Sequence, residues 1–154
     1  MTESRWFPFL ILAVSTLGFI DATYLTVQHY ADIGLPCTIT YGCETVTNSS
    51  FSMMFGIPVA LLGVCFYVSI LFLSYAALEF KQKKLLKVVS LLSIFGFVFS
   101  LWFVFVQFFI VHAICQYCML SALTSTTIFV ASMVYLYKLK TSVTSPLLSA
   151  MHEE

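Results

Sequence analysis

The sequence predicts an all-α membrane protein, a bundle of four transmembrane helices with an outer loop or half-helix between the first and second. Three observations predict it. Of 154 residues, 60% are hydrophobic and 9% charged, whereas a soluble domain carries roughly 25% charged residues, and mean hydropathy is +0.99. The apolar residues gather in four runs, each near the about 20 residues that cross a bilayer as a helix. The seven basic residues are confined to Arg5, the cluster Lys81, Lys83, Lys84 and Lys87, and the pair Lys138 and Lys140. Net charge is zero and no basic patch stands outside these flanks, so membrane lipid is expected as a partner and nucleic acid is not.

Residues 6–28 form the first span. No small-residue cleavage site follows Arg5, and the run is longer than a signal-peptide core, so the span is expected to be retained. Residues 30–56 are the one long polar connection, with Pro36, Gly42, Asn48 and a cysteine pair. Gly56-Ile57-Pro58 opens the second span, residues 57–80. Proline suits a first helical turn, where its missing N–H costs nothing.

Residues 81–87 are a basic turn and residues 88–111 the third span. The aromatics of that span, from Phe95 to Phe109, point all round a helix, so most must face lipid or fill core, with one or two left to line a pocket. The fourth span, residues 116–137, ends before Lys138 and Lys140. The polar tail, residues 141–154, is expected to be poorly ordered. No repeat or low-complexity segment divides residues 1–154, which read as a single membrane domain.

Basic residues accumulate on the cytoplasmic side of short loops. Four crossings put Arg5, the lysine turn and the last lysine pair on that side, which makes both termini cytoplasmic. Both cysteine pairs then face the opposite, oxidising side. A cell (inner) membrane location follows, or the endoplasmic reticulum membrane if the source is eukaryotic.

There are five cysteines. Cys37 and Cys43 lie on the outer loop, Cys115 and Cys118 at the start of the fourth helix, and Cys65 within the second span. A helix N-terminus favours thiolate, because unpaired N–H groups present partial positive charge there. Thiol–disulfide exchange runs through a transient mixed disulfide, so one dithiol on a movable loop and one fixed at a helix start are the parts of an electron relay. A dithiol at the membrane boundary can pass two electrons to a lipid-soluble carrier, for which a quinone is the obvious candidate. Two other readings stand beside this one. Zinc would prefer two to four residues within each pair, and Cys37/Cys43 has five between. Static disulfides would make the chain a structural tetraspan protein.

Cys65 reads as a small core residue. Asp21 is either functional, since an intramembrane carboxylate is costly, or neutral and hydrogen-bonded to a neighbouring helix. His112, beside the dithiol, is either a proton relay to a quinone or an interfacial residue. Ser121, Thr124, Ser125 and Thr127 are expected to permit close helix packing rather than to bind a ligand.

Cys37-x5-Cys43, Ser49, Phe55-Gly56-Ile57-Pro58 through Gly63, Cys115-Gln116-Tyr117-Cys118 and Asp21-Ala22-Thr23-Tyr24-Leu25-Thr26 together resemble the vitamin K epoxide reductases and their bacterial and archaeal homologues. The order of the pairs, loop first and Cys-x-x-Cys last, carries much of the resemblance. It implies a membrane thiol oxidase, or quinone reductase, that supports disulfide bond formation. Cys37 would meet the thiol partner, Cys43 would pass electrons to Cys115, and Cys118 would react with a quinone of the menaquinone, ubiquinone or phylloquinone type. Ser49 matches a loop serine near the quinone head group. Glu44 to Phe55 would form a half-helix whose apolar end, Met53-Met54-Phe55, faces the membrane. Ser49, Phe55 and His112 are thus the quinone-contact candidates, and no metal is expected. Where the animal enzymes have a tyrosine in the fourth helix this chain has Ala122, and no asparagine stands near the start of the second helix. Reduction of vitamin K or its epoxide is therefore the alternative reading. Some relatives carry a fused thioredoxin-like domain; here, with the chain ending at Glu154, a separate thioredoxin-like partner outside the cytoplasm is expected.

Overall fold

Each of the four apolar runs forms one long helix in a computed structural model, which describes residues 3–31, 42–47, 49–54, 56–80 and 82–150. Helix α1 is Glu3–Ala31, the short α2 is Cys43–Thr47, α3 is Val59–Glu79, α4 is Lys83–Val106 and α5 is Gln116–Ala150. Among the described residues, four segments are long and apolar enough to cross a membrane, Phe7–Ala31, Val59–Glu79, Lys84–Val111 and Gln116–Lys138. Helix α1 packs on α3 and α5, and α4 packs on the same two. The four long helices thus close a ring in the order α1, α3, α4, α5.

Small residues let these helices approach. A Cβ added at Gly18 would overlap the ring of Tyr67, and one added at Gly96 would overlap the ring of Phe66. The main core gathers Ile11, Ala22, Tyr67, Ile70, Val89 and Ile128. Ring stacks tie α5 to its neighbours, Phe7 on Tyr135 at 4.5 Å and Phe97 on Phe129 at 4.4 Å. Most helical hydroxyls satisfy themselves on the preceding turn, as Ser15 does on the Ile11 carbonyl at 2.6 Å and Thr26 on that of Ala22 at 2.7 Å. Such back-bonding lets a polar side chain sit in an apolar interface without an orphan donor.

Two segments differ from the expectation. The tail is helical as far as Ala150, continuous with the fourth span, and the helix runs through Pro146, which takes away one backbone donor. The half-helix expected over Glu44 to Phe55 is short. It comprises α2 and a 3-10 turn at Ser50–Ser52, after which strand β1 (Met53–Met54) pairs antiparallel with β2 (Ile57–Pro58). The hydroxyls here compete with helix propagation, since Thr47 donates to the Cys43 carbonyl, Ser49 to that of Val46 and Ser52 to that of Ser49. Gly56, between the strands, has φ 79, a left-handed value that glycine adopts without a steric penalty.

Candidate active site

The site is built where α4 ends and α5 begins. Beyond Val106, the backbone widens into a π turn at Gln107–Val111, and His112 closes it in the left-handed region, φ 52 and ψ 30. The Ala113 N–H returns to the Gln107 carbonyl at 3.2 Å. Single π turns change which side chain faces inward, and here the inward one is Gln107, fully buried. Its Oε1 accepts the backbone N–H of Cys115 at 3.0 Å, while its Nε2 has no partner. One amide side chain thus fixes the cysteine that precedes α5.

Cys115 is fully buried. Its sulfur lies 3.4 Å from the backbone nitrogen of Cys118, which donates to it. The hydrogen bond from the Cys118 thiol is the largest influence on the Cys115 thiol; with the amides of Cys118 and Tyr117 it outweighs burial and holds Cys115 below its ordinary pKa. This is the expected effect of a helix N-terminus on a thiolate.

The loop meets this segment from above. Gly42 packs on the Ala113 side chain and the Ile114 backbone, and Cys43, Val46 and Cys115 form one buried cluster with Phe103, Val111, Tyr117 and Cys118 at its edge. Cys43 is in a disulfide, whereas Cys115 and Cys118 are free thiols. Cys37 lies outside the described residues. The two dithiols expected from the sequence are therefore represented by Cys43 and Cys115 side by side.

Cys118 faces a different environment. It is half-buried and lines a cavity of about 790 Å³ between the helices, roofed by Val46 and Thr47 of α2 and walled by Tyr67, Phe103 and Ala122. The walls are overwhelmingly apolar, the type of lining that receives a ring with a lipid tail. Cys115 and Cys118, three residues apart, thus connect a buried loop cysteine to an apolar cavity.

The other quinone-contact candidates sit as follows. Ser49 is half-buried, and its hydroxyl donates to the Val46 carbonyl at 2.7 Å; the cavity wall includes its neighbours Thr47 and Ser52 but not Ser49. His112 is exposed and off the cavity wall. Phe55 lies outside the described residues. Asp21 is buried, and its Oδ2 has no hydrogen-bond partner. Cys65 is exposed and borders the cavity, rather than filling the core. The core face of α3 is set by Tyr67, two residues on and so about half a turn round the helix.

Three features went unread in the sequence. Gln107 is a lone amide in an apolar run, and the cost of an intramembrane polar group was the signal for it, as it was for Asp21. His29 is on the cavity wall where His112 is not; its place in the last turn of α1 was the only hint. Tyr67 crosses from α3 to α5, its hydroxyl 2.7 Å from Thr124 Oγ1 and 3.0 Å from Ser121 Oγ. Of the α4 aromatics, Phe95, Phe99 and Phe103 line the cavity.

The model of one family, described as the vitamin K epoxide reductase family, matches residues 9–133, a stretch that takes in all four spans' cores and all five cysteines. No curated protein matches the chain.

Proposed function

The chain belongs to the vitamin K epoxide reductase family, a family of membrane oxidoreductases that use quinones, and from that premise we propose that it is a dithiol oxidase that reduces a membrane quinone. The single observation that carries this reading is the split environment of the Cys-x-x-Cys. Cys115 shares a buried cluster with Cys43, and Cys118 forms part of an apolar cavity wall.

The electrons balance in three exchanges. A thioredoxin-like partner's dithiol reduces the loop disulfide, leaving Cys37 and Cys43 as thiols and the partner oxidised. The Cys43 thiolate then attacks Cys115 of a Cys115–Cys118 disulfide, and the Cys118 thiolate leaves. Attack of Cys37 on Cys43 resolves this mixed disulfide, with Cys115 as leaving group. A low-pKa thiol leaves faster, so the donors around Cys115 favour resolution. Finally the two thiols close to a disulfide, and their two electrons and two protons convert quinone to quinol in the cavity.

Ala122 on the cavity wall, where the animal enzymes have a tyrosine, supports plain quinone over an epoxide as substrate. The confinement of Lys and Arg to one set of helix ends supports placing both termini in the cytoplasm and the cysteines outside it. Disulfide formation in exported proteins is the role this arrangement serves. The test is steady-state reduction of a short-chain menaquinone or ubiquinone by purified protein with a reduced thioredoxin-like donor. Wild type is expected to turn over, and Cys37→Ala and Cys118→Ala are expected to be inactive. Equal activity of Cys118→Ala and wild type overturns the reading.

A further inference from the structure

Seven buried side-chain polar atoms among the described residues have no hydrogen-bond partner, and they belong to Asp21, Thr23, Gln28, Ser74, Gln107, Ser125 and Ser132. Of these residues only Ser125 lines the cavity. It is 2% exposed, and it departs from the habit of its neighbours. Thr126 and Thr127, next on the same helix, donate to the carbonyls four residues back at 2.7 and 2.8 Å. On the cavity wall itself, Thr47, Ser52 and Ser69 donate to carbonyls of their own segments, and Ser121 pairs with Tyr67. A buried hydroxyl left without a partner costs about 1–3 kcal/mol, and on a cavity-wall residue a molecule bound in the cavity can supply the missing acceptor.

Its position specifies the acceptor. Ser125 follows Cys118 by seven residues, which is two turns of helix, so both project from one face of α5 about 10 Å apart along its axis. Ala122, between them, leaves the wall flat at that level. The span suits a quinone ring laid lengthwise, with one edge at the thiol and the far carbonyl a hydrogen-bond length from the hydroxyl.

We infer that Ser125 is a substrate-positioning residue whose hydroxyl donates a hydrogen bond to the quinone carbonyl farther from Cys118. This goes beyond the packing role expected for it from the sequence, and it rests on the quinone-reductase reading above. Ser125 does not exchange electrons. It sets the ring's depth and orientation, and its hydrogen bond draws electron density toward the far carbonyl.

The experiment compares wild type, Ser125→Ala, Ser125→Thr and Ser132→Ala with short-chain menaquinone and a reduced thioredoxin-like donor. Ser132 is the internal control, since it is equally buried and unpartnered on the same helix but off the cavity wall. Ser125→Ala is expected to raise the quinone KM about five- to tenfold, the value of one neutral hydrogen bond, with kcat changed less. Ser125→Thr keeps the hydroxyl and is expected to restore at least half of the loss, and Ser132→Ala is expected to leave KM unchanged. The second readout is the infrared carbonyl stretch of bound, isotope-labelled quinone. In wild type one carbonyl should be shifted to lower frequency, and in Ser125→Ala that shift should disappear. An active wild type whose KM and carbonyl stretch are unchanged by Ser125→Ala overturns this inference alone. A wild type inert toward quinone overturns the quinone reading and this inference with it.

Discussion

Gly42 and Ile114 touch through their backbones. A Cβ at residue 42 would lie 2.7 Å from the Ile114 nitrogen and 2.9 Å from its carbonyl oxygen, so only glycine permits this approach. Each residue immediately precedes a cysteine, Cys43 on the loop and Cys115 before α5, and the contact therefore bears on the distance between the two sulfurs that would exchange electrons in the proposed relay.

Gly42→Ala is the first test of that contact. Relief of the overlap must move α2 away from the 113–115 segment, at a cost of about 1–3 kcal/mol. In a Cys37→Ala/Cys118→Ala background, oxidation should trap a Cys43–Cys115 disulfide, detectable by mass spectrometry of its linked peptides. Adding Gly42→Ala should lower the yield of that link at least about fivefold. An unchanged yield would show that the Gly42 contact does not position Cys43.

Gln107→Leu removes the acceptor for the Cys115 N–H in a fully buried site. The orphaned N–H should cost about 1–3 kcal/mol, seen as a lower thermal unfolding midpoint in detergent. Quinone reduction should fall with it, because the Cys115 backbone loses its anchor. A variant as stable and active as wild type would refute the role given to Gln107.

The pH dependence follows from Cys115. Hydrogen bonding from Cys118 holds its pKa below the ordinary value, so the reduced folded protein carries thiolate where the unfolded chain carries thiol. That contribution to stability is complete above the unfolded value of about 8.5 and is lost as pH falls through the lowered folded value. The unfolding midpoint of the fully reduced protein should drop across that window. Cys118→Ala removes the main donor and should flatten the dependence, and thiolate ultraviolet absorbance should show Cys115 titrating at higher pH. Identical titrations in both proteins would contradict this.

Tyr67→Phe removes a hydroxyl that lies 2.9 Å from the Ser121 carbonyl, 3.0 Å from Ser121 Oγ and 2.7 Å from Thr124 Oγ1. Hydrogen bonds between membrane helices contribute about 0.6 kcal/mol each on average, so a loss of about 1 kcal/mol in reversible unfolding is expected. Gly18→Ala should cost more, because its Cβ overlaps the Tyr67 ring and both helix backbones must shift. The reverse order of the two variants would argue against this packing.

The four-helix architecture was legible because bilayer thickness imposes long apolar runs, and the Cys-x-x-Cys was legible because its spacing reports one helical turn. The end of α4 was not. A π turn leaves no signature in Gln107-Phe108-Phe109-Ile110-Val111, and the left-handed region is uncommon for any residue but glycine, even though histidine is among those that enter it more often, so nothing local announced the break. Ser125 looked like any packing hydroxyl, since only the convergence of α3, α4 and α5 on one cavity separates it from Thr126 and Thr127. Gly42 read as a loop residue, and its contact with Ile114 joins positions far apart in the chain. His112 was singled out because it stands beside the dithiol in sequence, whereas His29, far from it in the chain, borders the cavity through the packing of α1.

Delivery of an electron pair from Cys115 and Cys118 to quinone is the step on which the proposed function rests. Its most direct test is an anaerobic single turnover of fully reduced Cys37→Ala/Cys43→Ala protein mixed with one equivalent of short-chain menaquinone, with quinol formation and disulfides measured together. One quinol and one Cys115–Cys118 disulfide per protein are expected, and neither when Cys118→Ala is added. Quinone left unreduced with both thiols intact, or quinol formed without that disulfide, would contradict it.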